Sequence, residues 1–203
     1  AMLNICETAE VKRIFSGNDI DIREIGLGAN YDRKTPVVLF LVMPDNVNTY
    51  TWIISMFYTQ LFDVLVRVSD DEIKAPLPFE VQVWMDEFYA GARPADTEKL
   101  LGVIRSRNIS AVIMLQSIAQ AKAIFPNDKW EIFTGNCATT VFLGSGATAH
   151  TTHQWVSDML EDMTIDSRSE NLGHSQGGNL QMSKGGMKLM TPGQISRMPK
   201  NDC

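Results

Sequence analysis

The chain has 203 residues, 44% hydrophobic and 21% charged, with a formal net charge of -6. That is enough apolar material for one well-buried core, so residues 1–203 are expected to form a single domain. The negative balance excludes a surface that grips nucleic acid by bulk charge, and any contact with DNA would be local, through a loop or a pore in an assembly.

Residues 1–35 are mixed and polar, with a helical turn expected around 7–15 and an extended piece around 20–25. Ala1 ahead of Met2 reads as a cloning remnant. Gly28 to Thr35 imitates the phosphate-loop pattern G-x-x-x-x-G-K-T, but Arg33 stands at the second glycine and Pro36 and a strand follow. A phosphate loop follows a strand and opens a helix, so this stretch is rejected as one. The apolar run 37–43 reads as a buried strand closed by Pro44 and Asp45. The helix after it aligns Val47, Tyr50, Ile54, Phe57, Leu61, Leu65 and Val68, and Trp52, Ile53, Met56 and Phe62 broaden that face, so it needs cover on more than one side. Residues 46–62 lack charge but carry Asn48, Thr49, Thr51, Ser55, Thr59 and Gln60, which predicts a buried helix rather than a membrane span. No signal-peptide pattern is present.

Val81 to Phe88 is a short apolar run ending in two adjacent carboxylates. A buried parallel strand looks like this when its carboxyl end opens into a nucleotide crevice. Hydrolysis of a nucleotide uses such a pair: Asp86 to hold a magnesium ion through water, with no direct metal ligand from the protein, and Glu87 to polarise the attacking water. The same run also arises where a strand simply exits to solvent. In the loop that follows, Tyr89 and Arg93 offer stacking and charge to single-stranded DNA, although loop polarity explains them equally well.

Residues 96–104 are expected to form a helix with Leu100, Leu101 and Ile104 inward, ending at Arg105-Ser106-Arg107. A strand over 111–115 leads to Gln116, and Ser117 with Gln120 forms a capping box for the next helix. Residues 130–136 are helical or irregular, 139–143 are at most a fifth strand, Gly144-Ser145-Gly146 is a turn, and 147–160 is an amphipathic helix. His150 and His153 on that helix read as exposed, because no cysteine or carboxylate completes a metal site around them. Residues 164–186 shift to Ser, Gly, Asn and Gln, a flexible loop or weak hairpin. Thr191 and Pro192 then cap and open a last helix, and the chain stops at Cys203 without a closing element, which suggests an artificial end. Cys6, Cys137 and Cys203 are odd in number and widely spaced, which suits a reducing compartment. The alternation predicts an α/β fold, a parallel sheet flanked by helices on both faces.

The order strand, acidic pair, helix, arginine, strand, glutamine, written here as WMDEFYAGARPADTEKLLGVIRSRNISAVIMLQSIAQ, resembles the TraG/TraD-type coupling proteins of conjugative and type IV secretion systems. The resemblance extends through LFLVMPDNVNTYTWIISMFYTQLFDVL before it and GNCATTVFLGS and KLMTPGQISRMP after it. It implies a RecA-like, DNA-pumping ATPase motor with ATP and magnesium as cofactors and Asp86 and Glu87 as its acidic pair. It further implies that Arg105 reaches the neighbouring subunit's nucleotide and that Gln116 senses the gamma-phosphate or orients the water. Arg107 competes with Arg105, and a helix-end arginine is also explained by the helix dipole. The implied partners are single-stranded DNA, its relaxase and channel components, in a homo-hexamer at the cytoplasmic face of the bacterial inner membrane, held there by helices upstream. No G-x-x-x-x-G-K-[ST] occurs, so the chain reads as a P-loop NTPase fragment lacking the phosphate loop, the carboxyl-side part of a motor domain. The alternatives are an FtsK/HerA-like DNA translocase and, in another class, a non-catalytic docking domain for relaxosome proteins.

Overall fold

The computed structural model describes residues 7–17, 19–42, 50–171 and 179–198. Cys6, Cys203 and the stretch with Pro44, Asp45, Val47, Asn48 and Thr49 lie outside them. The chain divides into two compact units, 1–114 and 115–203.

The first unit opens with α1 (Ala9–Ile14) and α2 (Ile22–Leu27). The second of these replaces the extended piece expected at 20–25, because Asp21 accepts a hydrogen bond from the Arg23 amide and caps the helix. The long helix α3 (Thr51–Arg67) buries Ile53, Leu61, Phe62 and Leu65 and runs into a π-turn, Val68–Ile73. Then come β1 (Val81–Met85), α4 (Thr97–Ile104), a tight 3-10 turn Arg105–Arg107 and β2 (Ile109–Ile113). The two strands pair in parallel, Val81 opposite Ile109 and Met85 opposite Ile113. A parallel pair needs a crossover between its strands, and α4 supplies it.

Along β1 burial alternates: Val81, Val83 and Met85 point into the core with Leu65, Val68, Leu77 and Ile104, while Gln82 and Trp84 point out. With Trp84 59% exposed, this sheet is covered on one face rather than two among the described residues. Two expected strands are also missing. Among the described residues 37–42 make no ladder, with Phe40 84% exposed, and neither do 139–143, with Leu143 81% exposed; Met43 lies outside the described residues. Apolar content favours a strand, but a strand exists only where a neighbour takes its backbone groups, and neither segment has one among the described residues.

The second unit contains α5 (Ile118–Ile124), α6 (Lys129–Gly135) and α7 (His150–Met159), then a hairpin of β3 (Asp162–Asn171) and β4 (Asn179–Lys188), and the short α8 (Pro192–Ile195). Ile118, Ala121, Phe125, Phe133, Val156 and Ile195 are buried, and the rings of Phe125 and Phe133 stack at 4.8 Å. Of the segment 164–186 the described residues pair as antiparallel strands, β3 with β4, from Asp162–Lys188 to Asn171–Asn179, and 172–178 lie outside the described residues. Thr191 and Gln194 form a full capping box with Pro192 in the first turn. Ser117 makes no such bond; Gln120 instead accepts from the Gln116 amide at 2.9 Å. His153 is buried, contrary to the exposed position expected for it, since α7 turns Thr152, His153, Val156 and Ser157 inward and Ser145 Oγ lies 2.9 Å from His153 Nε2. Among the described residues no helix is long and apolar enough to cross a membrane, and no cluster of three or more His, Cys, Asp or Glu side chains is placed to hold a metal ion.

Candidate active site

The acidic pair stands where β1 ends. Met114, just past β2, donates its amide to the Met85 carbonyl at 3.1 Å and accepts from the Phe88 amide at 3.3 Å. Two residues, Asp86 and Glu87, therefore lie between those bonds where a regular parallel ladder has one, so the chain bulges there. Their flanks, Met85 and Phe88, are buried to 2% and 0% exposure, so both carboxylates are displayed at the surface on a rigid base. Asp86 Oδ1 accepts the Glu87 amide at 2.8 Å. Glu87 is held in the left-handed region at φ 47°. Such a conformation is uncommon for a residue with a side chain and persists where surrounding structure enforces it. The enforcing bond is from the Gly91 amide to the Glu87 carbonyl at 2.6 Å. Gly91 has to be glycine there, because a Cβ would stand 2.9 Å from that carbonyl oxygen.

The loop after the pair is tied to α3. The Arg93 amide donates to Ser55 Oγ and the Ala95 amide to Thr59 Oγ1, each at 3.3 Å. Ser55 and Thr59, which the sequence marks only as polar positions on an apolar helix, are thus tethers of the site loop. Tyr89 is exposed, and Arg93 spends a guanidinium nitrogen on the Tyr89 carbonyl at 3.3 Å.

Arg105 lies at the other end of the sheet. It follows α4 and precedes β2, whose first residue pairs with the first residue of β1. From Val81 to Asp86 is five steps of about 3.3 Å, so the acidic pair stands about 16 Å along the strand from the edge of the sheet at which β2 begins, just after the turn that carries Arg105. Its side chain is exposed, and among the described residues its guanidinium has no partner. Arg107 is different. Its Nε and an Nη donate to both oxygens of Asp70, at 3.1 and 2.7 Å, and its other Nη donates to the Val103 carbonyl at 2.6 Å. Hydrogen bonding to Asp70 holds Arg107 even more firmly protonated than usual. Gln116 is exposed and belongs to the second unit, where the Gln120 amide nitrogen lies 3.4 Å from its Oε1.

The Gly28–Thr35 loop offers no phosphate cradle. Asp32 folds back to accept from the Lys34 and Thr35 amides at 2.8 and 2.9 Å, and from Thr35 Oγ1 at 2.7 Å. A carboxylate of the chain itself occupies the amides that a phosphate would need. Asp86 and Glu87 suit a hydrated magnesium ion, but the described residues hold no cradle for the phosphates beside it.

This fold is shared with bacterial conjugative coupling proteins. TrwBdeltaN70 in its trigonal form with sulphate superposes with a TM-score of 0.65, at 13% identity over 97% of this chain and 46% of that one. TrwB with the non-hydrolysable ATP analogue ADPNP gives 0.64, at 17% identity over 90% and 39%. TrwB with ADP and Mg2+ gives 0.54, at 14% identity over 74% and 32%. The architecture is thus the α/β fold seen in these coupling proteins, and the chain spans less than half the length of these relatives. By sequence, residues 80–200 match the family described as the TraM recognition site of TraD and TraG, and the chain belongs to that family of conjugation coupling proteins. Among curated proteins none matches.

Proposed function

We propose that the chain is the carboxyl-side part of an ATP-hydrolysing motor that drives relaxase-bound single-stranded DNA toward a type IV secretion channel. The observation that carries this is the extrusion of Asp86 and Glu87 between the two Met114 hydrogen bonds, on a base formed by Met85 and Phe88. That arrangement aims two carboxylates outward at the carboxyl edge of a parallel sheet, where α/β folds bind nucleotides. Among the solved relatives are TrwB complexes with ADP and Mg2+ and with nucleotide analogues. Asp86 would hold a magnesium ion through water, and such an ion would neutralise charge on the phosphates. Glu87 orients and deprotonates the attacking water, and Gln116 assists near the gamma-phosphate. The phosphate cradle comes from the part of the longer protein upstream. The family description supports docking of a TraM-like relaxosome protein on residues 80–200.

Arg105 completes the site of a neighbouring subunit in a ring, a hexamer by analogy with RecA-like motors. Its place ahead of β2, at the opposite edge of the sheet from Asp86 and Glu87, supports a role outside its own site. A guanidinium fork suits phosphate oxygens and does not titrate. Full-length Arg105→Ala and Glu87→Gln proteins should each lose hydrolysis, and mixing them should restore part of it. Mixed rings contain interfaces with an intact Glu87 on one side and an intact Arg105 on the other. No recovery in oligomers shown to be mixed would overturn the assignment across subunits.

A further inference from the structure

Arg105 is the candidate finger, but nothing in its own contacts says how it is kept in place. The 3-10 turn that carries it is fixed by its neighbours. Arg107 grips Asp70 with two guanidinium nitrogens and closes the last turn of α4 through the Val103 carbonyl and Ser106 Oγ, at 2.6 and 2.8 Å. The Leu77 amide donates to the Arg107 carbonyl at 3.2 Å, and Asn108 Nδ2 donates to the Leu77 carbonyl at 3.0 Å. Asp70 itself is presented by the π-turn Val68–Ile73, a rare form of helix that recurs at functional sites. That turn is anchored by the buried Val68 and by Ser69 Oγ on the Ala75 carbonyl at 2.8 Å.

A 3-10 turn has about three residues per revolution, so residues two apart face directions about 120° from one another. With Arg107 held on Asp70, Arg105 is turned to a different face, away from that pair. We propose that Asp70 and Arg107 are positioning residues, a two-point clamp that aims Arg105 at the neighbouring subunit's nucleotide. The inference rests on the role given to Arg105 above. A bidentate carboxylate–guanidinium pair fixes orientation as well as distance, and orientation is what a finger needs. The π-turn sits at the far end of α3, the same helix whose Ser55 and Thr59 tether the loop after Asp86 and Glu87. One rigid helix therefore braces both halves of the composite site, the acidic pair at one end and the arginine turn at the other.

The test uses the full-length protein with Asp70→Asn and Arg107→Lys, neither of which removes core volume. Each should lower kcat for ATP hydrolysis by roughly tenfold to a hundredfold, the scale of a reacting group displaced by about 1 Å, with KM for ATP and the melting temperature near wild type. The distinguishing measurement is complementation. Asp70→Asn mixed with Glu87→Gln should recover hydrolysis, as Arg105→Ala does, because the Glu87→Gln subunit lends a well-placed Arg105. Asp70→Asn mixed with Arg105→Ala should recover none, since every interface then has a missing or misdirected finger. The double change Asp70→Arg with Arg107→Asp should regain part of the loss if the pair acts as a clamp. Wild-type turnover in Asp70→Asn while Arg105→Ala is inactive would sink this proposal alone. So would recovery with both partners. Normal hydrolysis in Arg105→Ala would remove the parent reading, and this one with it.

Discussion

Glu87 separates a chemical role from a structural one, because its backbone and its side chain pull in opposite directions. At φ 47° it occupies the left-handed region, which costs a non-glycine residue about 1–2 kcal/mol. Glu87→Gly removes that cost and adds roughly 0.5–1 kcal/mol of unfolded-state freedom. The net expectation is a gain of roughly 0.5–1 kcal/mol, a rise of about 1–4 °C in melting temperature for a chain of this size. Glu87→Gln keeps the backbone cost and the side-chain shape, so its stability should stay within about 0.5 kcal/mol of wild type. Both variants should lose about a hundredfold or more in hydrolysis in the full-length protein, the scale of a positioned general base. The assay is thermal and denaturant unfolding of the 203-residue chain, paired with steady-state phosphate release from the full-length variants. A Glu87→Gly chain less stable than wild type by over about 1 kcal/mol would show that the side chain serves the fold. Near-normal turnover in Glu87→Gln would make it a strand-end acid and nothing more.

Gly91→Ala should do the reverse, since its new Cβ would meet the Glu87 carbonyl oxygen at 2.9 Å. We expect a loss of about 1–3 kcal/mol in stability and a fall in kcat, and unchanged unfolding would show that the turn relaxes freely. The 203-residue chain alone should neither hydrolyse ATP nor bind it tightly, because the one loop with a phosphate-binding pattern gives its amides to Asp32; micromolar binding in calorimetry, lost on Asp86→Ala, would refute this. Thr35 lowers the Asp32 pKa through its hydroxyl and amide, and Gln154 and Lys188 lower that of Asp158. Groups depressed on folding stabilise above their unfolded pKa and lose that contribution as pH falls through the folded value, so stability should decline below about pH 4. Asp32→Asn should be less stable than wild type at neutral pH and show a smaller decline in acid, and equal slopes would count against the Asx turn.

The parts of the site legible in the sequence were those written locally. Val81, Val83 and Met85 alternate with Gln82 and Trp84, so the strand and its terminal carboxylates could be read within eight residues. Thr191, Pro192 and Gln194 carry their cap in four. The pairing of Arg107 with Asp70 could not be read, because the two stand 37 residues apart. Strands at 37–43 and 139–143 were expected from apolar content, yet a ladder is a long-range fact that composition does not contain. His153 was misplaced for a different reason. With Thr152, Val156 and Ser157 it forms one face of α7, and weighing the histidine as a metal ligand hid that helical period.

The polarity of the sheet ties these observations together. In a parallel pair all carboxyl ends share one edge, so a residue ahead of β2 stands on the opposite edge from a residue after β1. Asp86 and Glu87 follow the end of one strand, and Arg105 precedes the start of the other. On the proposed reading the acidic pair and the arginine of one composite site would come from different copies, with one subunit's amino edge facing another's carboxyl edge. Such a contact would be heterologous, head to tail, and would repeat until a ring closed. Turnover in that proposed ring would depend on how neighbours sit.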